Sequence, residues 1–167
     1  MMVRRFNSGF RNSLVATAIV LGMTSGAFAA LKPGDAAPDF TTTAALAGKT
    51  SSFDMKAALK KGPVVLYFFP KAFTQGCTLE AHAFAEASPE FNKMGATVYG
   101  ISRDDIDTLK KFSTEACRDQ FAVLSDADGK TVRAYDAGHA TRTDMANRIS
   151  YVIDKEGKVV FAHQGSD

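Results

Sequence analysis

The sequence predicts an α/β fold, a three-layer sandwich in which helices flank a mixed central sheet. Residues 64–69 form a continuous apolar run, which suits a central strand covered on both faces. Two strand-like segments are each followed by apolar residues at helical spacing, as expected for parallel strands joined by helices. Near the end of the chain, two further strand-like segments flank a tight turn at residues 154–157, which predicts an antiparallel edge.

The segments before the central strand are short. Residues 32–40 contain the turn residues of an extended lead-in, and the threonines at residues 41–43 suit an edge strand. Ser52 stands where it can cap a short helix over residues 53–59. This region therefore predicts one strand and one helix.

The segments after the central strand alternate between helix and strand patterns. Residues 78–92 place apolar side chains on one helical face, and Pro89 is expected to bend or end that helix. A strand is predicted over residues 97–102, followed by a helix that starts at Asp104 or Asp105. Together these segments predict two successive strand–helix units.

The last third of the chain predicts three strands and a short helix. Residues 121–124 form one strand candidate, and the turn residues 125–129 lead into a short helix over residues 130–135. Residues 149–153 and 158–162 are the two strands that flank the tight turn. The antiparallel edge of the sheet is thus expected at the end of the chain.

The first 29 residues predict a secretory signal peptide. They contain three arginines, an apolar run at residues 14–21 and a small-x-small cleavage site at residues 27–29. A membrane anchor is the alternative, but small and polar residues interrupt the apolar stretch, and a spanning helix needs about 20 mostly apolar residues. Cleavage would leave residues 30–167 as one exported domain, periplasmic in a bacterium, without stable membrane association.

Charge argues against a nucleic-acid partner. The whole chain carries a formal charge of +2, and the predicted signal contains three arginines and no acidic residue. Its removal leaves a formal charge of −1, so the excess of basic over acidic residues lies in the predicted signal peptide. A domain with so little net charge lacks the basic surface that nucleic-acid binding needs.

The chain contains two cysteines, Cys77 and Cys117. Their separation of 40 residues fits neither a Cys-x-x-Cys redox pair nor a zinc pattern. In an oxidising compartment a disulfide can persist. A bridge between these two cysteines would join distant segments of the chain.

Cys77 stands between the central strand and the helix that follows it. Unpaired backbone N–H groups and the helix dipole favour a negative charge at this place, so they stabilise a thiolate. The alternative is an inert buried thiol, since free cysteine is often a small apolar core residue. The strand, turn, thiol, helix order favours a reactive sulfur.

Pro70, Thr74 and Cys77 form a Pro-x-x-x-Thr-x-x-Cys pattern that resembles the active-site signature of peroxiredoxins. The wider segment 67–81 (Tyr-Phe-Phe-Pro-Lys-Ala-Phe-Thr-Gln-Gly-Cys-Thr-Leu-Glu-Ala) is similar to the bacterioferritin-comigratory, or peroxiredoxin Q, subfamily, and the likeness extends over residues 34–161. It implies a thioredoxin-like fold and a thiol peroxidase for hydrogen peroxide and small organic hydroperoxides, without metal, haem or flavin cofactor. The family usually continues into a C-terminal helix, which is expected to be missing here.

The resemblance implies a role for each residue around the thiol. Cys77 would be the peroxidatic cysteine, and the Thr74 hydroxyl would bond a peroxide oxygen or simply cap the helix. Pro70 would narrow the loop and shield the sulfur, or only end the strand. Arg148, just before a predicted strand, matches the family's active-site arginine, which would stabilise the thiolate and bind peroxide. Arg142 is the competing candidate.

Glu80 lies in the first helical turn after Cys77. A carboxylate there suits the helix dipole, and this is the plain interpretation of the residue. Its charge would oppose thiolate formation unless another group, such as an arginine, neutralises it. Glu80 is therefore a candidate for a supporting role beside the thiol.

Many members of the subfamily carry a resolving cysteine five residues after the reactive one, where this chain has His82. Cys117, expected late in the next helix, matches the alternative arrangement. The sulfenic acid formed at Cys77 would then be captured by Cys117 as an intrachain disulfide, after local unwinding of one or both helices. Otherwise Cys117 is only an apolar helix residue, and Cys77 needs an external thiol.

The expected partners are a peroxide and a thioredoxin-like dithiol reductant, and the protein is expected to be a monomer. A second hypothesis is an exported thioredoxin-like thiol–disulfide oxidoreductase, although the chain lacks a Cys-x-x-Cys motif. A third is metal delivery, with Cys77, His82, His139 and His163 as ligands. Copper carriers of this fold generally use two cysteines in close sequence, which this chain lacks.

Overall fold

The computed structural model describes residues 30–165. The predicted signal, residues 1–29, lies outside these residues. Within the described part of the chain, no helix combines the length and the apolar character that crossing a membrane requires.

Strands and helices alternate along most of the described chain. The strands are β1 (Thr41–Leu46), β2 (Lys49–Asp54), β3 (Val64–Phe68), β4 (Thr97–Ser102), β5 (Ala122–Ser125), β6 (Ile149–Ile153) and β7 (Val159–Gln164). The helices are α1 (Met55–Leu59), α2 (Gln75–Lys93), α3 (Ile106–Glu115) and α4 (Lys130–Ala134).

Strand β3 contributes to two separate cores because its neighbouring side chains point to opposite faces of the sheet. One core contains Val64, Leu66 and Phe68 together with residues of α1 and α4, and we call this core the opposite layer. Val65 and Tyr67 join the other core with residues of α2 and α3, which we call the cysteine layer because it contains both cysteines. The predicted three-layer arrangement is confirmed.

All seven strands form one mixed sheet in the order β2-β1-β5-β4-β3-β6-β7. The pairs β3–β4 and β4–β5 are parallel, whereas β1–β2, β1–β5, β3–β6 and β6–β7 are antiparallel. The predicted parallel centre and antiparallel edge are therefore both present. The carboxyl ends of β3, β4 and β5 meet at the same edge of the sheet, and this edge holds the candidate site.

The hairpin of β6 and β7 was predicted correctly. In the part of the chain that the structure describes, β7 is the last element. Two of its large apolar side chains, Val160 and Phe161, are about half exposed.

The predicted helix over residues 53–59, with Ser52 as its cap, was wrong in two respects. Residues 49–54 form the strand β2, so Ser52 is an exposed strand residue and caps no helix. Phe53 is buried in the sheet, where its ring lies 4.8 Å from the Tyr99 ring. Helix α1 starts later, at Met55, because the Asp54 carboxylate accepts a hydrogen bond of 2.7 Å from the Ala57 N–H.

Helix α2 starts at Gln75, three residues before its predicted start. Cys77 is consequently the third residue of the helix and not the residue before it. Pro89 lies inside the helix and does not end it, since α2 continues to Lys93. The cysteine thus remains in the first turn, where the N–H groups are unpaired within the helix.

Helix α3 starts after Asp105, whose carboxylate accepts a hydrogen bond from the Thr108 N–H at 2.8 Å. The helix ends at Glu115, so Cys117 lies in the turn that follows it and not within the helix. Its backbone N–H still reaches back to the Phe112 carbonyl at 3.1 Å. The second cysteine is therefore attached to the end of α3 by one backbone hydrogen bond.

Candidate active site

The loop between β3 and α2 brings Cys77 to the carboxyl edge of the sheet. Phe69 extends the pairing of β3, since its N–H donates to the Ile101 carbonyl at 3.0 Å. Phe73 then adopts a positive φ of 64°, which is unusual for a bulky residue. Its ring packs edge-on against Phe112 at 5.3 Å, a contact that helps to hold the strained loop.

The Cys77 thiol is buried, with 1% of the residue exposed. Nη2 of Arg148 lies 3.6 Å from Cys77 Sγ and donates to it. A guanidinium at this distance stabilises the charged form of the sulfur and can donate to an oxygen bound beside it. Of the two arginine candidates, the structure thus brings Arg148 to the thiol.

Arg148 holds Glu80 with its other terminal nitrogen. Nη1 of Arg148 donates to Glu80 Oε2, and both side chains are largely buried, with 16% and 20% exposed. This ion pair supplies the neutralising arginine that Glu80 was expected to need. Because Glu80 fixes one nitrogen of the guanidinium, the other nitrogen is directed at Cys77.

Burial and charge shift the pKa values of Glu80 and Arg148 in opposite directions. Burial raises the pKa of Glu80, and the attraction of Arg148 only partly offsets that rise. Burial lowers the pKa of Arg148, but Glu80 and Cys77 outweigh it, so the pKa of the guanidinium lies above its ordinary value. Arg148 is therefore a permanent cation beside the sulfur.

Two glycines let the Arg148 side chain lie close to the backbone. A Cβ at Gly76 would stand 3.2 Å from Arg148 Nη2, and a Cβ at Gly165 would stand 2.8 Å from Arg148 Cδ. The Gly165 N–H also donates to the Arg148 carbonyl at 2.9 Å. The guanidinium and its aliphatic stem are thus packed between the start of α2 and the end of β7.

Thr74 occupies the N-cap position of α2, but its side chain makes no capping hydrogen bond. Its hydroxyl instead donates to the Lys71 carbonyl at 3.0 Å, within the loop. Pro70 is partly buried directly after Phe69, where the strand ends. A contact of Thr74 or Pro70 with a peroxide stays a prediction.

Cys117 is fully buried in the cysteine layer, and both cysteines are free thiols. Burial raises the pKa of Cys117 far above its ordinary value, and the nearby charge of Asp119 adds to the rise. Cys117 is therefore protonated at neutral pH in this closed arrangement. Its role as a resolving cysteine stays a prediction.

Tyr67 lies in the same layer as the two cysteines. Its hydroxyl is buried without a hydrogen-bond partner among residues 30–165. Its ring stacks on Phe84 at a centroid distance of 4.2 Å and covers Gly100, where a Cβ would stand 2.8 Å from the ring. Burial raises the pKa of Tyr67, and the charges of the cysteines and Glu80 raise it further.

The other candidate residues do not join this cluster. Arg142 contacts His139, with Nη2 of the arginine 3.2 Å from His139 Nε2. Within the described ranges, no three His, Cys, Asp or Glu side chains are grouped closely enough to hold a metal ion. The structure therefore does not gather Cys77 with His82, His139 and His163.

Asp104 is the site residue that the sequence interpretation missed, since it was considered only as a helix start. Its carboxylate accepts a hydrogen bond of 2.8 Å from the Ala72 N–H in the loop before Cys77. The available signal was its place two residues after Ser102, at the carboxyl end of β4. Polar side chains at the carboxyl ends of neighbouring parallel strands meet at one edge.

Residues 33–162 match the sequence model of the AhpC/TSA family. This match covers all of the elements described above except the last two residues of β7.

Named proteins with similar sequences come from plants and bacteria. The chain is 38% identical over 132 residues to "Peroxiredoxin Q, chloroplastic" of Populus jackii, covering 79% of this chain and 60% of that protein. It is 32% identical over 134 residues to "Peroxiredoxin Bcp" of Escherichia coli (strain K12), covering 77% and 83%. The chain thus spans less than two thirds of the length of the poplar relative.

A solved structure gives the same result for the fold. The crystal structure of peroxidoxin BcpB from Mycobacterium tuberculosis superposes with a TM-score of 0.72 at 32% sequence identity. The superposition covers 80% of this chain and 86% of that protein. The predicted thioredoxin-like fold class is confirmed.

Proposed function

This chain belongs to the AhpC/TSA family, and from that premise we propose that it is a thiol-dependent peroxidase for hydrogen peroxide and small organic hydroperoxides. The observation that carries the proposal is the 3.6 Å contact between Arg148 Nη2 and Cys77 Sγ, made in the first turn of α2. A thiolate stabilised there has the charge that nucleophilic attack on a peroxide requires.

In the first step the Cys77 thiolate attacks one peroxide oxygen. An S–O bond forms, the O–O bond breaks, and the departing oxygen takes a proton to give water or an alcohol. Cys77 becomes a sulfenic acid, oxidised by two electrons, while the peroxide is reduced by two. Arg148 stabilises the charge on the departing oxygen, and the Thr74 hydroxyl bonds the peroxide, in a pocket that Pro70 shields.

In the second step Cys117 attacks the sulfenic sulfur, which forms a disulfide and releases water. Both thiols are buried in the same layer, and the pKa of Cys117 is raised by burial. Local opening of the first turn of α2, of the turn after α3 or of both has to let the two sulfurs approach, and exposure of Cys117 lets its thiolate form. A thioredoxin-like dithiol then reduces the disulfide.

The cellular role that we propose is antioxidant defence outside the cytoplasm. The signal-like pattern of residues 1–29 supports export, to the periplasm in a bacterium. We propose that the exported domain acts as a monomer. Cell fractionation and light scattering of the purified domain test these two points.

Peroxide consumption by the purified protein in excess dithiol tests the activity. Wild type is expected to turn over, and Cys77→Ser is expected to reduce the rate to that of the dithiol alone. Cys117→Ser is the matched control, because it removes the other buried thiol and should still react once with peroxide. Unchanged turnover in Cys77→Ser would refute the proposal.

Intact-mass analysis after one equivalent of peroxide tests the disulfide. The wild-type protein is expected to lose two hydrogens, whereas Cys117→Ser is expected to gain oxygen on Cys77. A wild-type protein that also gains oxygen would point to a one-cysteine enzyme. An insulin-reduction assay without peroxide separates the alternative, since a thiol–disulfide oxidoreductase should be active there.

A further inference from the structure

A single turn at the carboxyl end of β4, residues 102–104, contacts both loops that build the candidate site. One loop, residues 70–74, leads to Cys77, and the other, residues 138–147, leads to Arg148. These two loops belong to different parts of the chain and need a common support if the sulfur and the guanidinium are to meet.

Asp104 holds the loop that leads to Cys77. Its Oδ2 accepts hydrogen bonds from the Ala72 N–H and from the Ser102 hydroxyl, both at 2.8 Å. Only 7% of the Asp104 side chain is exposed, and Lys71 Nζ lies 3.7 Å from its other oxygen. A buried carboxylate with two donors is a rigid anchor, because leaving either donor unpaired is costly.

The backbone of Asp104 is itself fixed to the sheet. The Ser125 hydroxyl donates to the Asp104 carbonyl at 2.7 Å, and the Asp126 N–H donates to the Ser102 carbonyl at 2.8 Å. The turn is thereby tied to the end of β5. Ala72 is thus held against the rigid end of two neighbouring strands.

Arg103 holds the loop that leads to Arg148. Its Nη1 donates to the Thr143 carbonyl, and its Nη2 donates to the Ala127 carbonyl at 3.0 Å. Gly129 allows this approach, because a Cβ there would stand 3.0 Å from Arg103 Nε. That Nε is buried without a partner within residues 30–165, a cost that the two carbonyl contacts offset.

We propose that Asp104 and Arg103 are positioning residues for peroxide reduction, which act through the Cys77 loop and the Arg148 loop respectively. This inference rests on the proposed peroxidase function. In-line attack requires the sulfur, the peroxide and the guanidinium to be aligned within a fraction of an ångström, and a 1 Å error can cost about 100-fold in rate. Neither residue touches the sulfur, so each acts only through the loop that it holds.

The test for Asp104 compares two rate constants of Cys77, one with hydrogen peroxide and one with iodoacetamide. Alkylation needs only an accessible thiolate, whereas peroxide also needs aligned donors. Asp104→Ala is expected to lower the ratio of the peroxide rate constant to the alkylation rate constant about 10-fold or more. Asp104→Asn keeps an oxygen acceptor for Ala72 and Ser102 and should restore the ratio to within about threefold of wild type.

Tyr135→Phe is the matched control for lost stability. Tyr135 is buried in the opposite layer, and its hydroxyl donates to the Pro38 carbonyl at 2.7 Å, with no hydrogen bond to the turn at residues 102–104. This variant should lower the melting temperature about as much as Asp104→Ala while leaving the ratio near that of wild type. An equal fall of the ratio in both variants would overturn the inference, as would an unchanged ratio in Asp104→Ala.

The test for Arg103 is a double-mutant cycle with Arg148. Arg103→Gln is expected to lower the peroxide rate constant several-fold in the wild-type background and less than about twofold in Arg148→Ala. Equal effects in both backgrounds would show that Arg103 does not act through Arg148. A wild-type protein with the peroxide reactivity of free cysteine would instead refute the peroxidase function, an outcome distinct from failure of the positioning roles.

Discussion

Arg148 uses its two terminal nitrogens for different partners, Glu80 and Cys77. Only a planar guanidinium offers two fixed donors that point in different directions, and a lysine ammonium cannot reproduce this geometry. The orientation of the cation therefore depends on the carboxylate as much as on the arginine. Its placement also depends on the stem, which packs against the backbone of Gly165.

Gly165→Ala is expected to disturb the site without unfolding the protein. The added Cβ would stand 2.8 Å from Arg148 Cδ, so the stem has to move and carries the guanidinium away from Cys77. We expect the peroxide rate constant to fall about 10-fold, measured by stopped flow, with a melting temperature near that of wild type. Gln164→Ala, at the neighbouring exposed position, is the control. Wild-type kinetics in Gly165→Ala would show that the stem position is unimportant.

Tyr67→Phe is expected to stabilise the reduced protein. The Tyr67 hydroxyl is buried without a partner in the described part of the chain, so its removal relieves a desolvation cost of about 1–3 kcal/mol. Urea unfolding measures the change in free energy. Tyr135→Phe is the matched control, because that hydroxyl donates to the Pro38 carbonyl at 2.7 Å and its loss should destabilise. A destabilised Tyr67→Phe would reveal a hydrogen bond to water.

At the scale of elements, the sequence predicted the strands and helices that bury a continuous or periodic set of apolar residues. Strand β3 is such an element, since all five of its residues are buried. Strand β2 could not be predicted in this way, because Phe53 is its single buried residue. Strand β2 is held by backbone hydrogen bonds to β1. The local pattern of side chains does not indicate such backbone pairing.

The residues of the candidate site also divide into those that the sequence predicted and those that it did not. Cys77 and Glu80 lie on one helix, and the family resemblance pointed to Arg148, so the sequence was sufficient to propose these three residues together. The contact of Asp104 with the Ala72 N–H joins a side chain to a distant backbone group. Any residue type carries that N–H, so no motif could mark the contact.

Pro89→Ala is expected to stabilise helix α2. Pro89 lies within the helix and has no N–H to donate to the Ala85 carbonyl one turn earlier. Alanine restores this donor and has the best helix propensity, so we expect a gain of about 1–2 kcal/mol in unfolding free energy. Glu90→Ala is the neighbouring control for surface effects. An unchanged or lower stability would show that the proline geometry is accommodated without cost.

At the scale of the whole molecule, the stability of the reduced protein should fall as the pH rises above about 8.5, the ordinary pKa of a cysteine. Burial raises the pKa of Cys117 in the folded state. Between these two pKa values the unfolded chain loses the Cys117 proton while the folded chain keeps it. The stabilising contribution is therefore complete below about pH 8.5 and decreases by about 1.4 kcal/mol per pH unit above it.

Urea unfolding of reduced wild type and Cys117→Ala between about pH 8 and 9.5 measures this effect. Tyrosines with raised pKa values also contribute to the slope, but equally in both proteins, so the difference between the two slopes isolates Cys117. The variant is expected to lack the Cys117 part of the slope. Parallel slopes in both proteins would show that Cys117 is not held protonated by burial.

The separation of the two cores has a practical consequence for engineering. The cysteines and Tyr67 all belong to the cysteine layer, while α1 and α4 pack against the other face of the sheet. Substitutions that improve heat tolerance can therefore be collected on α1, behind the sheet and away from the loop that leads to Arg148. Such redesigned proteins would keep the packing around both cysteines and offer a durable host for altering the site.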